Sequence, residues 1–572
     1  MSAIIGHPYT RLFFELFAPV FVLFAQALQL RYLDGHYLRA DGELRVVGLL
    51  IAAALALLAY ALLRLIVAPL LSAVAVVSAT LVLRLMSNMK LATTDDPLAW
   101  TDISVTTNIS VVWRYLSIEH IIILAAVVLV GVVTWLINPF RTRSWKMFGV
   151  NGVLCLSLVP VALFPYFGRG EEGLFGPMRA FFVESGFSYR VWNSKRNIES
   201  NGLLVHLVQT SQREMPEAPT DAEALRFQEL LGSRTSLEKR PSNIIVVLCE
   251  ACWHDEHFFK DSFRKLSDIG YTGFRSVSPV YGGATVNATF ELVTGLPAEA
   301  VLTGVVYQEY ADVLSDQAFS WPRQLKKLGY RTLAVHNHYR KFWKRDVVNR
   351  KLGYDRFIGL EDMLYDGTPW ADDGVLYDTV LAELQAQPND NFFFLTTVST
   401  HGPYRFDKDF GEGDYQRRLD KALAELASFT QQVMAIESDT MIFVVGDHKP
   451  ALTRFFFERG VIPAALFRTT GETNAEFKLA GSAPGQLIGD MPGYILYRDS
   501  AKVERFVEVA RDMPFYCAAY AMDQVFTRSG LPAFAFVDKH SLCGSYDVGG
   551  YESVAKQFPP WLYSASLFNG KK

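Results

Sequence analysis

Five long apolar runs in the first third of the sequence constrain the fold more than any other feature. Each run approaches the ~20 residues that an α-helix needs to cross the hydrocarbon core of a membrane. Buried helices of soluble proteins rarely stay wholly apolar for so long, so five runs in succession predict five transmembrane helices. The runs are Leu12–Leu30, Val46–Leu65, Ile66–Leu85, Ile118–Ile137 and Phe148–Phe167.

Basic residues between the fourth and fifth runs predict the orientation of these helices. Lysine and arginine near helix ends resist translocation, so the loop with Arg141, Arg143 and Lys146 is expected in the cytoplasm. Five crossings then place everything after the fifth run outside. Three arginines of the first external loop oppose this orientation, although acidic residues lie among them: Arg31, Arg39 and Arg45. The first run lacks a basic flank and a small-residue cleavage site, so a retained anchor is expected.

The remaining sequence has the mixed charge and turn residues of a soluble domain. A chain of 572 residues is too long for one hydrophobic core. We therefore expect a transmembrane domain of residues 1–167, an amphipathic connector of residues 168–240 and an external domain of residues 241–572. The net charge of −4 gives no electrostatic reason to expect nucleic acid as a partner.

Four short apolar runs of the external part each lead to a titratable side chain. Runs rich in β-branched and aromatic residues alternate there with helical stretches, which indicates an α/β domain with a largely parallel sheet. In such sheets, ligands bind outside the carboxyl ends of the strands. The side chains that follow the four runs are therefore expected to converge: Glu250, His336, His401, and Asp447 with His448.

Three of these side chains suit a divalent cation. Glu250, Asp447 and His448 form an oxygen-rich set with one imidazole, which favours Mn²⁺, Zn²⁺ or Mg²⁺ over a structural thiolate site. An isolated Asp-His pair is more often a loop carboxylate beside a hydrogen-bonded histidine. The convergence of several strand ends is what favours the metal interpretation.

A candidate nucleophile follows a glycine-rich turn. In Gly282-Gly-Ala-Thr285 the threonine precedes a helical run, so it is predicted to lie at a helix amino terminus. The unpaired amides and the helix dipole favour an anion there, either an alkoxide or a phosphate oxygen. The alternative is a threonine that merely caps the helix. Contact with a bound cation would distinguish the two, because a free hydroxyl ionises too weakly to attack.

Five cysteines are few for a chain of this length. Cys517 and Cys543 flank a turn-rich stretch and could be joined in an oxidising compartment. Cys249 and Cys252 bracket Glu250, and we interpret them as buried cysteines rather than metal ligands, since a second C-x-x-C pair is absent from the sequence. Their pairing cannot be derived from spacing.

The order of these motifs resembles the lipoteichoic acid synthase-like phosphoglycerol transferases of the alkaline phosphatase/sulfatase superfamily. The resemblance extends over nearly the whole chain, from the apolar runs to the external motifs. It implies one divalent metal ion, Mn²⁺ first and Zn²⁺ or Mg²⁺ as alternatives, bound by Glu250, Thr285, Asp447 and His448. The motifs are Glu250, Gly-Gly-Ala-Thr285, His336 with Phe342-Trp343-Lys344-Arg345-Asp346, Thr400-His401-Gly-Pro, and Gly446-Asp447-His448.

The same resemblance implies a substrate pocket lined by His336, Trp343, Arg345 and His401. Arg345 offers a planar donor fork to phosphate, Trp343 an apolar wall for glycerol, and His401 a proton donor or oxyanion partner. Thr285, Arg345 and His401 are therefore the expected catalytic residues.

The implied reaction moves a phosphoglycerol headgroup from phosphatidylglycerol to a hydroxyl of a glycan or polymer. Thr285 attacks the phosphorus, diacylglycerol leaves, and the headgroup stays on the threonine until the acceptor takes it. The expected location is the bacterial cytoplasmic membrane, with the catalytic domain on the periplasmic or extracellular side. Bilayer, donor lipid and glycan acceptor are the expected partners.

Three other functions stay open. A phosphoethanolamine transferase shares the scaffold, the threonine and the metal. A phosphodiesterase or sulfatase-type hydrolase is less favoured, because the sequence lacks the Cys/Ser-x-Pro-x-Arg motif of sulfatases. A lipid-sensing scaffold protein is least favoured, because the nucleophile and all the implied ligands are present.

The chain departs from the family pattern in one place. Many relatives carry an acidic residue four positions after the nucleophile, where this chain has Thr289, and Glu291 follows two residues later. That change puts the surroundings of the metal site in doubt rather than the site itself. His254, Asp255 and His257 follow Glu250 and are expected to form a polar loop beside the pocket.

Overall fold

The computed structural model contains two compact units, Met1–Arg213 and Glu214–Lys572. It describes residues 8–34, 46–94, 97–105, 118–136, 145–167, 194–211, 215–231, 239–302, 304–367, 370–406, 409–480, 483–543 and 550–568. The predicted three-part division stays a prediction. Most of the first half of the predicted connector, residues 168–193, lies outside the described ranges.

The described part of the first unit is helical. Three of its helices contain segments long and apolar enough to cross a membrane, namely Phe13–Tyr32, Val47–Arg64 and Pro69–Leu91. Several large apolar side chains on these helices are exposed, which is what contact with lipid requires. The helices are α1 (Pro8–Tyr32), α2 (Val46–Arg64), α3 (Pro69–Thr94), α4 (Trp100–Val105), α5 (Ile118–Leu136), α6 (Trp145–Phe167), α7 (Ser194–Asn201) and α8 (Leu203–Thr210).

The prediction of five membrane spans is corrected to three candidate spans. The fourth and fifth apolar runs do form helices, but their described apolar segments are only Ala125–Leu136 and Gly149–Val161. Apolar segments of this size class, 10–17 residues, rise at most about 25 Å at 1.5 Å per residue. They form only part of α5 and α6, which have 19 and 23 residues. The hydrocarbon core is ~30 Å thick, so neither segment meets the length of a span by itself.

A buried polar network joins the helices of the first unit. Arg84 of α3 donates from Nε to Asp34 Oδ1 at 3.0 Å, and its Nη1 donates to Gln29 Oε1 of α1 at 2.8 Å. The other Asp34 oxygen accepts the amide of Leu203, the first residue of α8. Charges among apolar helices persist when they are paired in this way, so the network fixes how α1, α3 and α8 pack.

An eight-stranded sheet forms the centre of the second unit. The described strands of the unit are β1 (Asn243–Cys249), β2 (Thr272–Val277), β3 (Arg331–His336), β4 (Arg356–Ile358), β5 (Asn391–Thr396), β6 (Thr440–Gly446), β7 (Phe467–Thr469), β8 (Lys478–Leu479), β9 (Asp490–Leu496) and β10 (Met513–Pro514). The order in the large sheet is β10-β2-β9-β6-β1-β5-β3-β4. Strands β6, β1, β5, β3 and β4 run parallel to one another, and β9 pairs antiparallel with both β6 and β2. Strands β7 and β8 form a separate two-stranded sheet.

Helices follow or precede the strands of this sheet along the chain. All residues of β1, β5 and β6 are buried, which explains why these strands appear in the sequence as continuous apolar runs rather than as alternating patterns. The α-helices of the unit are α9 (Asp221–Leu231), α10 (Lys260–Asp268), α11 (Thr285–Thr294), α12 (Val306–Tyr310), α13 (Trp321–Lys327), α14 (Arg345–Lys351), α15 (Asp373–Ala386), α16 (Glu412–Ile436), α17 (Thr453–Glu458), α18 (Gly485–Ile488), α19 (Ser500–Ala510), α20 (Phe515–Met522), α21 (Pro532–His540), α22 (Gly550–Ala555) and α23 (Pro560–Leu567).

Two disulfides lie in the second unit. Cys517 and Cys543 are joined, as the sequence allowed, and Cys249 is joined to Cys252. The sequence had left the bonding of Cys249 and Cys252 open. Their interpretation as buried cysteines agrees with the structure, since each is 1% exposed.

Candidate metal centre

The predicted ligands lie at one edge of the sheet because of strand register. In the parallel pair β1 and β6, Cys249 is opposite Gly446, so the residues that follow, Glu250 and Asp447, leave adjacent strands side by side. In β3 and β5, His336 is opposite Thr396. Because β6, β1, β5 and β3 are consecutive neighbours, their carboxyl ends form one continuous edge.

Glu250, Asp447 and His448 form a compact cluster of potential ligands. One donor atom of each lies within 4.8 Å of the other two, and all three residues are buried. His448 Nε2 is 3.2 Å from Asp447 Oδ2 and 3.6 Å from Glu250 Oε1. The structure therefore brings these three predicted metal ligands together.

The hydrogen bonds of His448 leave one ring nitrogen for a ligand. Its Nδ1 is 2.9 Å from the carbonyl oxygen of Lys449. A carbonyl can only accept, so Nδ1 carries the proton and the lone pair of Nε2 points into the cluster. This is the tautomer that a metal-binding histidine needs.

The two oxygens of Asp447 have different surroundings. Oδ1 accepts the amides of Ala251 at 2.6 Å and His448 at 2.8 Å. Oδ2 is buried and has no hydrogen-bond partner among the described residues. A buried carboxylate oxygen without a donor is costly, and a cation would satisfy it. The donor set thus fits a divalent metal.

Thr285 lies against this cluster as the first residue of α11. Its Oγ1 donates to Glu250 Oε2 at 3.2 Å, and only 7% of the residue is exposed. The chain enters the helix through a tight turn in which Gly282 and Ala284 have φ of 66° and 65°. That turn places Thr285 at the amino terminus of α11, where the helix dipole favours an anion.

The electrostatics of the cluster favour a positive charge there. Burial, followed by the nearby charge of Asp447, raises the pKa of Glu250 to about 8, while His448, Thr285 and Arg345 act in the opposite direction. Two carboxyl groups this close and this deeply buried do not both ionise readily without a counter-charge. A cation would keep both ionised.

A disulfide closes the loop that carries Glu250. Two threonines that follow β5 also hold this loop. Thr397 Oγ1 accepts a hydrogen bond from the Glu250 amide at 3.0 Å, and the Thr400 hydroxyl donates to the Glu250 carbonyl oxygen. A methyl group at Gly446 would collide with the carbonyl oxygen of Cys252, so glycine is needed where this loop crosses β6.

Arg345 lies buried near the cluster, at the start of α14. Burial lowers its pKa to about 10, and Tyr307, Glu250 and Asp447 oppose that shift. Its Nε has no hydrogen-bond partner among the described residues, which leaves a donor for an anionic ligand.

The backbone that leads to Arg345 is strained. The preceding residues Trp343 and Lys344 have φ of 59° and 53°, a left-handed conformation that is uncommon for non-glycine residues and frequent at functional sites. Trp343 itself is buried, 9% exposed. This turn therefore leads into Arg345 while Trp343 stays buried.

The surroundings of two predicted pocket histidines favour the neutral form of each ring. His336 Nδ1 is 2.8 Å from the carbonyl oxygen of Thr396, and burial together with Arg345 holds its pKa well below the usual value. Burial also lowers the pKa of His401, whose Nδ1 contacts the carbonyl oxygen of Gly402. In both rings Nδ1 is the donor, and Nε2 can accept a proton or a hydrogen bond.

Two residues of this region were missed in the sequence. His338 lies two positions after His336, and burial followed by Arg345 lowers its pKa to about 4. Its ring centroid is 5.9 Å from that of His336 and 4.9 Å from that of Trp370. The spacing of two histidines at a strand end could have indicated His338. Trp370 belongs to a loop with no periodic pattern, so its sequence gives no comparable signal.

The residues beside the motif positions have structural contacts. Asp255 Oδ1 accepts the amides of His257 and Phe258, so it closes a turn, as expected for a polar loop. Thr289 donates to the carbonyl oxygen of Thr285, and Glu291 accepts from the Tyr551 hydroxyl at 2.6 Å. The carboxyl group of Glu291 is therefore engaged with another helix instead of the cluster.

Residues 242–481, which include all four implied metal ligands, match the family model described as Sulfatase. This agrees with the resemblance inferred from the motifs.

Curated relatives have lower similarity and partial coverage. The "Putative cyclic beta-1,2-glucan modification protein" of Rhizobium meliloti is 24% identical over 47% of this chain and 46% of that protein. The capsular polysaccharide biosynthesis protein RkpI of the same organism is 27% identical over 43% and 49%. Lipoteichoic acid synthase 1 of Bacillus subtilis is 25% identical over 22% of each chain. The chain thus matches about half the length of the first two relatives.

Proposed function

We propose that this protein is a membrane-anchored, metal-dependent phosphoglycerol transferase. The observation that carries the proposal is the 3.2 Å contact between Thr285 Oγ1 and Glu250 inside a buried cluster of three potential metal ligands. A hydroxyl at a helix amino terminus, next to a cation site and a buried arginine, suits attack on a phosphodiester. The resemblance to phosphoglycerol transferases names the transferred group.

In the first step, Thr285 Oγ1 bonds to the phosphorus of phosphatidylglycerol and the bond to the diacylglycerol oxygen breaks. The threonine proton leaves with diacylglycerol, and glycerophosphate remains as an ester of Thr285. Glu250, Asp447 and His448, with Thr285, would hold the divalent cation, for which Mn²⁺ is our first choice. When bound, the cation lowers the pKa of the threonine hydroxyl and neutralises charge on the phosphoryl oxygens.

In the second step, a hydroxyl of the acceptor bonds to the phosphorus and the Thr285 ester breaks. The acceptor loses its proton and Thr285 regains one, so the enzyme returns to its starting state. The neutral His401 ring has an accepting nitrogen for the acceptor proton, and the guanidinium of Arg345 holds the phosphoryl oxygens in both steps.

The other features of the chain support a site outside the cytoplasm. Three candidate spans would anchor the enzyme in the bilayer that holds its donor, which raises the effective donor concentration without added affinity. Two disulfides in the second unit favour an oxidising compartment. We place the protein in the bacterial cytoplasmic membrane, with the second unit on the periplasmic or extracellular side.

The acceptor we propose is a glycan hydroxyl. Two relatives carry names that refer to glucan modification and to capsular polysaccharide biosynthesis. An oligosaccharide of β-1,2-glucan is therefore the first acceptor to test.

The test is to identify the group on Thr285. The full chain is placed in liposomes with Mn²⁺ and with phosphatidylglycerol or phosphatidylethanolamine labelled in the headgroup, and the Thr285 peptide is analysed by mass spectrometry. We expect a glycerophosphate adduct, absent from Thr285→Val, a variant of similar shape without the hydroxyl. An adduct from phosphatidylethanolamine alone would make the protein a phosphoethanolamine transferase. Fast hydrolysis of soluble monoesters without any glycan product would make it a hydrolase.

A further inference from the structure

An exposed tryptophan lies beside two pocket histidines. The Trp370 ring centroid is 4.4 Å from that of His401 with an interplanar angle of 33°, and 4.9 Å from that of His338 at 62°. Nevertheless, 47% of Trp370 is exposed. The ring therefore covers the histidines with part of its surface and offers the rest to solvent.

A buried polar network holds the segment that carries this ring. The carbonyl oxygen of Ala371 accepts from Asn337 Nδ2 at 2.9 Å. Asp373, which is 0% exposed, accepts from Asn337 Nδ2 at 3.0 Å and from the amides of Val398 at 3.0 Å and Ser399 at 3.1 Å. The segment is thus fastened to the chain that follows β3 and to the chain that follows β5.

The backbone that follows Trp370 is therefore held at the edge of the sheet where the cluster lies. Asn337 directly follows His336, and Ser399 is two residues before His401. A second aromatic ring extends the same surface, because Tyr339 is 46% exposed and its ring centroid is 5.4 Å from that of His338. Together, Tyr339 and Trp370 form what we call the aromatic rim.

The rim suits a sugar ring better than the lipid donor. A rigid aromatic face gives a large apolar contact at low entropic cost, and its edge tolerates water and hydroxyl groups nearby. A pyranose presents C–H groups on its ring faces and hydroxyl groups around its edge. Stacking on Trp370 would place such hydroxyls beside His401, the residue to which we assign the acceptor proton.

We infer that Trp370 is the acceptor platform, on which a pyranose ring of the glycan stacks during transfer. This inference rests on the proposed function for the identity of the acceptor. It assigns no role to Trp370 in donor binding or in formation of the Thr285 ester, so the indole determines specificity in the second step alone.

Equilibrium binding tests the inference without catalysis. The probe is a β-1,2-glucan oligosaccharide, titrated by calorimetry into the full-length protein in liposomes. We expect Trp370→Ala to weaken binding about tenfold, which corresponds to ~1.4 kcal/mol. Trp370→Phe keeps an aromatic face and should bind nearly as well as the natural protein. Leu364→Ala, a change at a fully exposed residue of the same connection, is the matched control.

Kinetics then separate acceptor binding from donor chemistry. For Trp370→Ala we expect an unchanged rate of Thr285 ester formation and a KM for glucan about tenfold higher, with kcat little altered. Unchanged glucan binding in Trp370→Ala, undetectable binding by the natural protein, or a parallel loss of ester formation would each overturn the inference. If the natural protein forms no ester at all, the proposed function fails, while the binding titration still decides the role of Trp370.

Discussion

The amide of Ala251 donates a 2.6 Å hydrogen bond to Asp447 Oδ1. This bond links the loop that supplies Glu250 to the strand end that supplies Asp447 and His448, so the ligands cannot move independently. Ala251 adopts φ of 49° to make it, an uncommon conformation for alanine. The candidate metal site is therefore assembled from two chain segments that this hydrogen bond joins.

Asp447→Asn should remove metal binding without unfolding the protein. The amide keeps the shape and can still accept the Ala251 and His448 amides, but it lacks the charge. We expect metal affinity to fall more than about 100-fold, beyond the 10–100-fold typical of outer-shell changes. Metal content after dialysis measures this, with the exposed Asp316→Asn as control. Full metal content in Asp447→Asn would show that the ligand set is wrong.

We expect one disulfide to matter more for metal affinity and the other to matter more for the stability of the fold. Cys249 and Cys252 are three residues apart, so their bond removes little chain entropy, about 1.5 kcal/mol, but it holds the Glu250 loop. Cys517 and Cys543 are 26 residues apart, and that bond removes about 3.5 kcal/mol. Replacing the first pair by serine should weaken metal binding more, and replacing the second should lower stability more. Equal effects on metal affinity would contradict the positioning role.

The convergence of the motifs could be predicted because it follows from parallel strands. Side chains at the carboxyl ends of neighbouring strands meet at one edge, so Glu250, His336 and Asp447 need no further information to be placed there. The number of candidate membrane spans was harder to predict from the sequence. Hydropathy identified all five apolar runs as helices, but it overestimated how many of them are candidate spans.

Contacts between loops could not be predicted. Cys249 pairs with Cys252 only because the backbone turns sharply after β1, and spacing does not report such a turn. Trp370 reaches His401 because the segment that also carries Asp373 is held by Asn337, which follows β3. Local sequence patterns carry no signal for contacts of this kind.

Glu291→Gln should change the pH dependence of stability. Burial raises the pKa of Glu291 to about 8, against hydrogen bonds from the Tyr551 hydroxyl and the Ala298 amide. Between pH 4.5 and 8 the folded protein keeps this proton and the unfolded chain loses it. The contribution to stability is therefore complete below pH 4.5 and is lost as pH rises to 8, by at most about 1.4 kcal/mol per pH unit.

The variant lacks this titration, so its free energy of unfolding should decline less than that of the natural protein over the same pH window. Urea denaturation of the full chain at several pH values measures the difference. Parallel curves for the two proteins would show that Glu291 is ionised in the fold.

Arg345→Lys should lower activity although it keeps the charge. Lysine lacks the planar fork that contacts two phosphoryl oxygens at once. We expect ester formation on Thr285 to slow by about 100-fold or more, the range for loss of one transition-state donor. Metal content should stay unchanged, because Arg345 is not among the ligands. Activity within twofold of the natural protein would remove Arg345 from the mechanism.

X-ray absorption at the metal edge of the Mn²⁺- or Zn²⁺-loaded full chain tests the central claim most directly. Four residues from three separate segments should share one cation, so we expect only oxygen and nitrogen neighbours, with the scattering of one imidazole. Thr285→Val should lose one oxygen neighbour, and Asp447→Asn should lose the metal. Sulfur neighbours from Cys249 or Cys252 would contradict the account. So would a spectrum that stays the same in both Thr285→Val and Asp447→Asn.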